Sequence, residues 1–357
     1  MNQGYFHRLA NQSLTRFWIN NPTIEEAQKA IESGAISCTT NPTYTAKLLK
    51  QASENPQVMD IIDRVIRETD DNSQAAVEVQ RQVIKRLLNV FMGLYKEKPS
   101  SQGFVSIQGD PYAEDDYENI VVEALADMKL GDNVIAKIPV TKAGLKAMEY
   151  LIGENVPIIA TEVMGISQAV CVCELYERVS HKKGAKPAFY VTHITGIFDE
   201  YLAKVAQEKQ IAIAKDILWQ AGTIVARKQY RILKERGYHV TMLGGGARGL
   251  HHFTEMVGSD MHVTINWKGT ADKLLEMDPP IVCRIDTPIP DYAVSELMDK
   301  IPDFSRAYLE DGFSVEEFAD FGPVRFFRDS FEAGWSYLLE TIKERRKIIE
   351  LAEERVD

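Results

Sequence analysis

The chain has 357 residues, 45% hydrophobic and 26% charged, which supplies a large apolar core and excludes a disordered, fibrous or disulfide-framework protein. Its 41 Lys and Arg against 52 Asp and Glu leave a net charge of −11, which argues against nucleic acid or an anionic membrane as a general partner. Four scattered cysteines (Cys38, Cys171, Cys173 and Cys283) and the lack of any run near ~18 apolar residues point to reduced thiols in a cytoplasmic protein.

The first 24 residues hold no acid and carry Arg8 and Arg16, a faint likeness to a transit peptide. A β-rich run already begins at Phe17, so a short helix ahead of the fold is expected instead. Eight such runs follow in order: Phe17–Asn20, Ala35–Thr39, Phe104–Gln108, Asn133–Ile138, Ile158–Val163, Ala188–His193, His239–Leu243 and His262–Ile265. Between them lie segments with helical apolar spacing, among them Ile24–Ser33, Gln74–Tyr95, Tyr117–Met128, Lys142–Ile152 and Ile166–Val179. The βαβα order argues for a parallel sheet covered by helices.

Length alone allows two or three domains. Eight βα units instead favour one (β/α)₈ TIM barrel spanning 1–357, with extra helices and a C-terminal helix. No G-x-G-x-x-G follows the first strand, and Gly244-Gly245-Gly246 stands after the seventh, the wrong place for a dinucleotide turn. Residues 43–98 hold two or three helices where one suffices, so an insertion is expected there. Residues 278–325, rich in Pro, Asp and Gly, read as a long loop excursion over one barrel end. From Arg325 to Glu354 an amphipathic helix is expected, with Phe326, Phe327, Phe331, Trp335, Leu338 and Leu339 on its buried side.

The fourth strand carries the most informative residue, Lys137. Strands of a parallel barrel are buried on both faces, so a lysine inside one requires a reason. Desolvation disfavours the ammonium and frees the amine to attack a carbonyl. An internal ion pair or a side chain that snorkels to the rim are the alternatives. Lys137 lies near the C-terminal end of its strand, where barrel active sites are built, and Thr141 is a plausible N-cap for the next helix.

Ala136-Lys137-Ile138-Pro139-Val140-Thr141 with Gly144-Leu145-Lys146-Ala147 resembles the Schiff-base lysine motif of the transaldolase family of class I aldolases. Thr39-Thr40-Asn41-Pro42-Thr43 resembles the family's TTNP-S/T signature. Val105-Ser106, Thr161 with Gln168-Ala169, and Leu243-Gly244 with Arg248 fall in family order, over about residues 17 to 275. The resemblance implies an imine between Lys137 and C2 of a ketose, cleavage of C3–C4, and a dihydroxyacetone enamine. A transaldolase passes that unit to another aldehyde; a related aldolase releases it to water. A catalytically degenerate barrel retained for binding is the third reading.

By the same resemblance Thr161 holds a catalytic water and Asn41 contacts the three-carbon unit, with Thr39, Thr192 and His193 as further substrate-binding candidates. Arg248, after the Gly run, binds an anion such as phosphate or sulfonate, helped by backbone N–H groups and a helix N-terminus. The implied partner is a small sugar, sugar phosphate or sugar sulfonate of carbohydrate metabolism, of the pentose-phosphate kind. Homo-oligomerisation stays open. No cofactor is expected, and no residues have metal-ligand spacing.

Three positions depart from the family pattern. The first strand ends in Asn20 where a catalytic Asp is expected, and the third carries Gln108 in place of Glu, as in the fructose-6-phosphate aldolase branch. A second phosphate arginine, after the sixth strand, is replaced around Gly196-Ile197. Asn20 and Gln108 orient water or hydroxyls but cannot cycle a proton as carboxylates do. The aldolase branch uses a Tyr where Ile194 stands; His193 and Tyr190 are the neighbouring substitutes, although strand alternation turns His193 away from Ile194's face. His251-His252 read as solvated helix-cap residues.

Overall fold

Eight short strands, apolar on both faces, need a covering layer inside and out, and a closed barrel ringed by helices supplies both. The computed structural model, which describes residues 4–353, has this architecture. Strands β1 (Arg16–Asn20), β2 (Ser37–Thr39), β3 (Val105–Ile107), β4 (Val134–Pro139), β5 (Ile158–Thr161), β6 (Phe189–Ile194), β7 (Thr241–Gly245) and β8 (His262–Ile265) close in sequence order, β8 pairing parallel with β1. All eight expected strands are present, displaced at their ends by a few residues. The barrel interior below Lys137 is filled by Trp18, Phe104, Ile135, Ile159, Tyr190 and Leu243. It is therefore a packed core, and any ligand must sit above it, at the C-terminal ends of the strands.

The helices in chain order are α1 (Tyr5–Gln12), α2 (Ile24–Glu32), α3 (Tyr44–Leu49), α4 (Asn55–Val65), α5 (Asn72–Glu97), α6 (Tyr117–Asp127), α7 (Lys142–Gly153) and α8 (Ile166–Lys183). They continue with α9 (Thr195–Glu208), α10 (Lys215–Leu218), α11 (Ala221–Glu235), α12 (His251–Thr254), α13 (Asp272–Met277), α14 (Asp291–Lys300), α15 (Pro302–Tyr308) and α16 (Gly322–Glu353). The helix expected before the fold is α1, whose Phe6 stacks on Phe17 at 4.0 Å. Residues 43–98 hold α3, α4 and α5. Local signals set these helices: Thr23 forms a capping box with Glu26 at the start of α2, and the Thr141 hydroxyl accepts from Gly144 N–H at the start of α7, as expected.

The region 278–325 differs from its expectation. It is not a bare loop: α14 and α15 bury Leu297, Ile301, Phe304 and Ala307 among side chains of α8, α9 and α11, so the Pro-rich stretches are connectors and the apolar residues between them form a helical layer. Helix α16 begins three residues earlier than expected, and Glu354 lies outside the described residues. It crosses the mouth of the barrel, burying Phe331, Trp335, Leu338 and Ile342. Gly334 allows its closest approach, since a Cβ there would stand 2.9 Å from the Thr43 Cα. Among the described residues no helix is long and apolar enough to cross a membrane.

Candidate active site

Strand parity carries a set of polar side chains up from the filled core layer to the mouth. Thr161 and Thr192 continue the inward faces of Ile159 and Tyr190, and Lys137 continues that of Ile135. With Asn20, Thr39, Asn41 and Arg248 they line one cavity of about 790 Å³, roofed by Phe327, Ser330, Phe331, Ala333 and Gly334 of α16. Seven of the nine expected site residues thus share one space.

Lys137 is 8% exposed, and its Nζ donates to the Thr40 carbonyl at 3.2 Å. Burial pushes its amine down to about 8, against the opposing pull of the Glu162 and Glu114 carboxyls. Neither of the alternative readings holds: no ion pair engages Nζ among the described residues, and the group does not reach solvent at the rim.

The amides form a fixed lattice around it. Asn20 donates to Asn266 at 2.9 Å and accepts from the Thr39 hydroxyl at 2.9 Å, while Thr39 and Thr264 share a 2.6 Å hydroxyl contact. Asn41 accepts through Oδ1 from Asn21 and from both the N–H and the hydroxyl of Thr43, which leaves its Nδ2 to face a ligand. The Thr161 and Thr192 hydroxyls are buried without a hydrogen-bond partner among the described residues. Unpartnered hydroxyls on a cavity wall are sites where substrate or water binds.

Two expected residues lie elsewhere. His193 is fully buried on the outer face of β6, its Nδ1 within 3.2 Å of Gln229 Oε1, and its basicity drops to about 4 through burial. Alternation sends it into the helical layer, so it does not touch the cavity. Gln108 keeps the inward parity but turns beneath the mouth, donating to Glu162 at 2.9 Å and Glu114 at 3.1 Å. Tyr190 packs edge-on to Trp18 at 5.1 Å in the core layer and is likewise absent from the cavity.

The Arg248 loop is arranged differently from its expectation. The Arg248 and Gly249 N–H groups do not face the cavity; both donate to His252 Nδ1 at 3.1 Å. His252 is therefore protonated on Nε2 and donates to Asp199 at 2.7 Å, and Asp199 also accepts from Gly222 N–H. His252 is 1% exposed, a buried buttress and not a solvated cap. Asp199, His251 and His252 present ligating atoms within 4.8 Å of one another, but these hydrogen bonds, with His251 Nε2 on the Trp219 carbonyl, already engage them. Arg248 itself pairs with Glu200 at 2.8 Å. At Gly196, where the resemblance leads one to expect a second arginine, a Cβ would stand 2.6 Å from the Arg248 nitrogen.

Sequence reasoning missed most of the positive charge. Lys47, Lys50 and Lys268 line the same cavity as Arg248, and among the described residues no Asp or Glu does. Lys47 and Lys50 stand three residues apart beside the Asn41 loop, and Lys268 follows β8 at the mouth. Helical i,i+3 spacing and position after a strand were the available signals.

A (β/α)₈ barrel with a polar, lysine-bearing cavity at the C-terminal ends of its strands has the architecture of a barrel enzyme. Residues 17–305 match the model of the family described as Transaldolase/Fructose-6-phosphate aldolase. Curated relatives named Transaldolase include those of Thiobacillus denitrificans, 24% identical over 83% of this chain and 84% of the relative, and Prochlorococcus marinus, 26% identical over 77% and 82%. A third, from Saccharopolyspora erythraea, is 29% identical over 46% of this chain and 43% of its own. The chain belongs to the transaldolase/fructose-6-phosphate aldolase family, as a divergent member, and is an enzyme of the transaldolase/aldolase type.

Proposed function

We propose that this protein is a Schiff-base transferase that moves a dihydroxyacetone unit from a ketose with a distal anionic group to an aldehyde acceptor. The observation that carries the reading is Lys137, buried at the cavity floor with its amine lowered to about 8. The neutral amine adds to C2, water leaves and an imine forms. Loss of the C4 hydroxyl proton breaks C3–C4, the electron pair flows into the imine nitrogen, and the donor's aldehyde departs. The resulting enamine carbon then attacks the acceptor carbonyl, whose oxygen takes up a proton. Asn41 and the Thr192 hydroxyl bind the three-carbon unit, the Thr161 hydroxyl holds the catalytic water, and Asn20 and Thr39 hold the wall.

Borohydride with dihydroxyacetone or fructose 6-phosphate is expected to add the reduced ligand's mass to a peptide containing Lys137. No adduct across a panel of ketoses overturns the reading and leaves a barrel used for binding. A second reading, release of the three-carbon unit to water, is favoured by the amide at Gln108; turnover without any acceptor aldehyde selects it.

The anionic end of the substrate is assigned to Lys50, Lys268 and Arg248. Lys50→Ala and Lys268→Ala are each expected to raise KM for a phosphorylated or sulfonated ketose about 10-fold, through the loss of one charge contact. The defect shrinks at high salt, and dihydroxyacetone kinetics stay unchanged. Gly196→Ala is expected to displace Arg248 and give a similar rise in KM with little change in kcat. An unchanged KM in all three variants removes the distal anion from the proposal.

A further inference from the structure

The two amides at Asn20 and Gln108 leave the site without the carboxylates that proton transfer requires, yet two carboxyls lie buried beside Lys137. Glu162 directly follows Thr161 at the end of β5, fully buried, in the left-handed region at φ 60°. That conformation costs a residue with a Cβ about 1 kcal/mol or more, so the surroundings must hold it. Gln108 does so, its single Nε2 donating to both Glu162 Oε1 at 2.9 Å and Glu114 Oε1 at 3.1 Å. Glu114 is 3% exposed, and the two carboxyls meet at the one Gln108 amide.

A separate cavity of about 30 Å³, room for one or two water molecules, is lined by Gln108, Glu114 and Lys137. Glu114 Oε2, Glu162 Oε2, Gln108 Oε1 and Thr161 Oγ1 are buried and lack hydrogen-bond partners among the described residues.

Charge balance supports one shared proton. Two carboxylates in contact inside the protein do not both ionise. Arg328 of α16 approaches Glu114 at 3.4 Å and lowers the cost of one negative charge on the pair. The other acids near this cavity are already engaged: Asp110 accepts from Tyr112 N–H, Glu123 accepts from Asp110 N–H, and Asp127 pairs with Arg81. Asp115 and Glu332 face the outer side of Arg328. Burial raises both Glu114 and Glu162 above the ordinary carboxyl range; the Glu162 charge adds to the rise at Glu114, whereas Gln108, Lys137 and Arg328 pull against it at Glu162.

We propose that Glu162 and Glu114 hold one proton between them and that Glu114, which lines the small cavity together with Lys137, exchanges it with the carbinolamine on Lys137 through that cavity, so that the proton-carrying role has moved from the amide at Gln108 to its two carboxyl partners. In the forward step the pair gives its proton to the carbinolamine hydroxyl, which departs as water. The nitrogen lone pair forms the C=N bond, and a positive iminium then faces a fully ionised pair. Hydrolysis runs the same exchange backwards. The pair acts through water and is a positioning and relay element.

The inference rests on the Schiff-base reading, and its test separates the two. Glu162→Gln and Glu114→Gln are compared with wild type in the full chain, by the rate of borohydride-trappable adduct formation with dihydroxyacetone across pH 5–9. Each variant is expected to form the adduct on Lys137 to full extent, but on the order of 10²-fold more slowly, with a changed pH profile. Glu162→Gln combined with Gln108→Glu exchanges amide and carboxyl and is expected to recover the rate to within about tenfold. Thermal unfolding identifies a variant that fails to fold, and the remaining single variant then carries the test. No adduct with wild type overturns the Schiff-base reading and the relay with it. A wild-type adduct with unchanged rates and pH profiles in the folded variants overturns the relay alone.

Discussion

Lys137→Met is expected to abolish trapping by borohydride and to lower turnover by on the order of 10⁴-fold or more, because covalent catalysis loses its nucleophile. The fold should persist, since Met fits a site walled by Ile135, Ile159 and Thr161, and burying a thioether removes the desolvation cost of an amine. Wild type carries a distinct pH signature. A lysine at about 8 is roughly one-tenth neutral at pH 7, about 300-fold more than an unperturbed lysine. Attack requires the neutral amine, so the rate of adduct formation should rise with pH and level off above about 8. The initial trapping rate across pH 6–10 reads this directly. A midpoint near the ordinary lysine value, or wild-type turnover in Lys137→Met, removes Lys137 from the chemistry.

Phe331→Ala is expected to be the most damaging single truncation around the cavity for stability. The ring is fully buried, packs 4.3 Å from Phe327, and belongs both to the outer core and to the roof of the site. Loss of a buried Phe side chain costs about 3–5 kcal/mol in transfer and cavity terms. For a chain of this length that corresponds to a fall of about 5 °C in Tm. Activity should fall further than stability, because α16 is held over the mouth by this ring and by the close contact of Gly334 with Thr43. Phe331→Leu should restore most of the Tm. Calorimetry and steady-state kinetics on both variants check it; an unchanged Tm in Phe331→Ala means that α16 is anchored elsewhere.

The arrangement gives a barrel with net charge −11 a cationic mouth. The mouth concentrates cations from three separate connections, after β2, β7 and β8, while carboxylates are kept below the floor or behind the loops. Glu200 neutralises part of Arg248, which leaves more of the available positive charge on Lys50 and Lys268.

Periodicity and order determined the barrel, because a parallel strand buried on both faces must be apolar throughout and eight such runs in series have few ways to close. The same rule exposed Lys137, whose charge contradicts its surroundings. Strand alternation also turned His193 away from Ile194's face, whereas the placement of Thr161 and Thr192 on the cavity wall came from the closed barrel. Tertiary structure alone decided what lies beside these residues. The Glu162 turn at positive φ, the reach of Glu114 and Arg328 from distant segments, and the capture of two loop N–H groups by His252 depend on contacts between residues far apart in the chain. No local pattern encodes such contacts. The helices within 278–325 were hidden for a related reason: their prolines mark the connectors between short elements, and the apolar positions between them are recognisable as a buried face only against the partners α8, α9 and α11 supply.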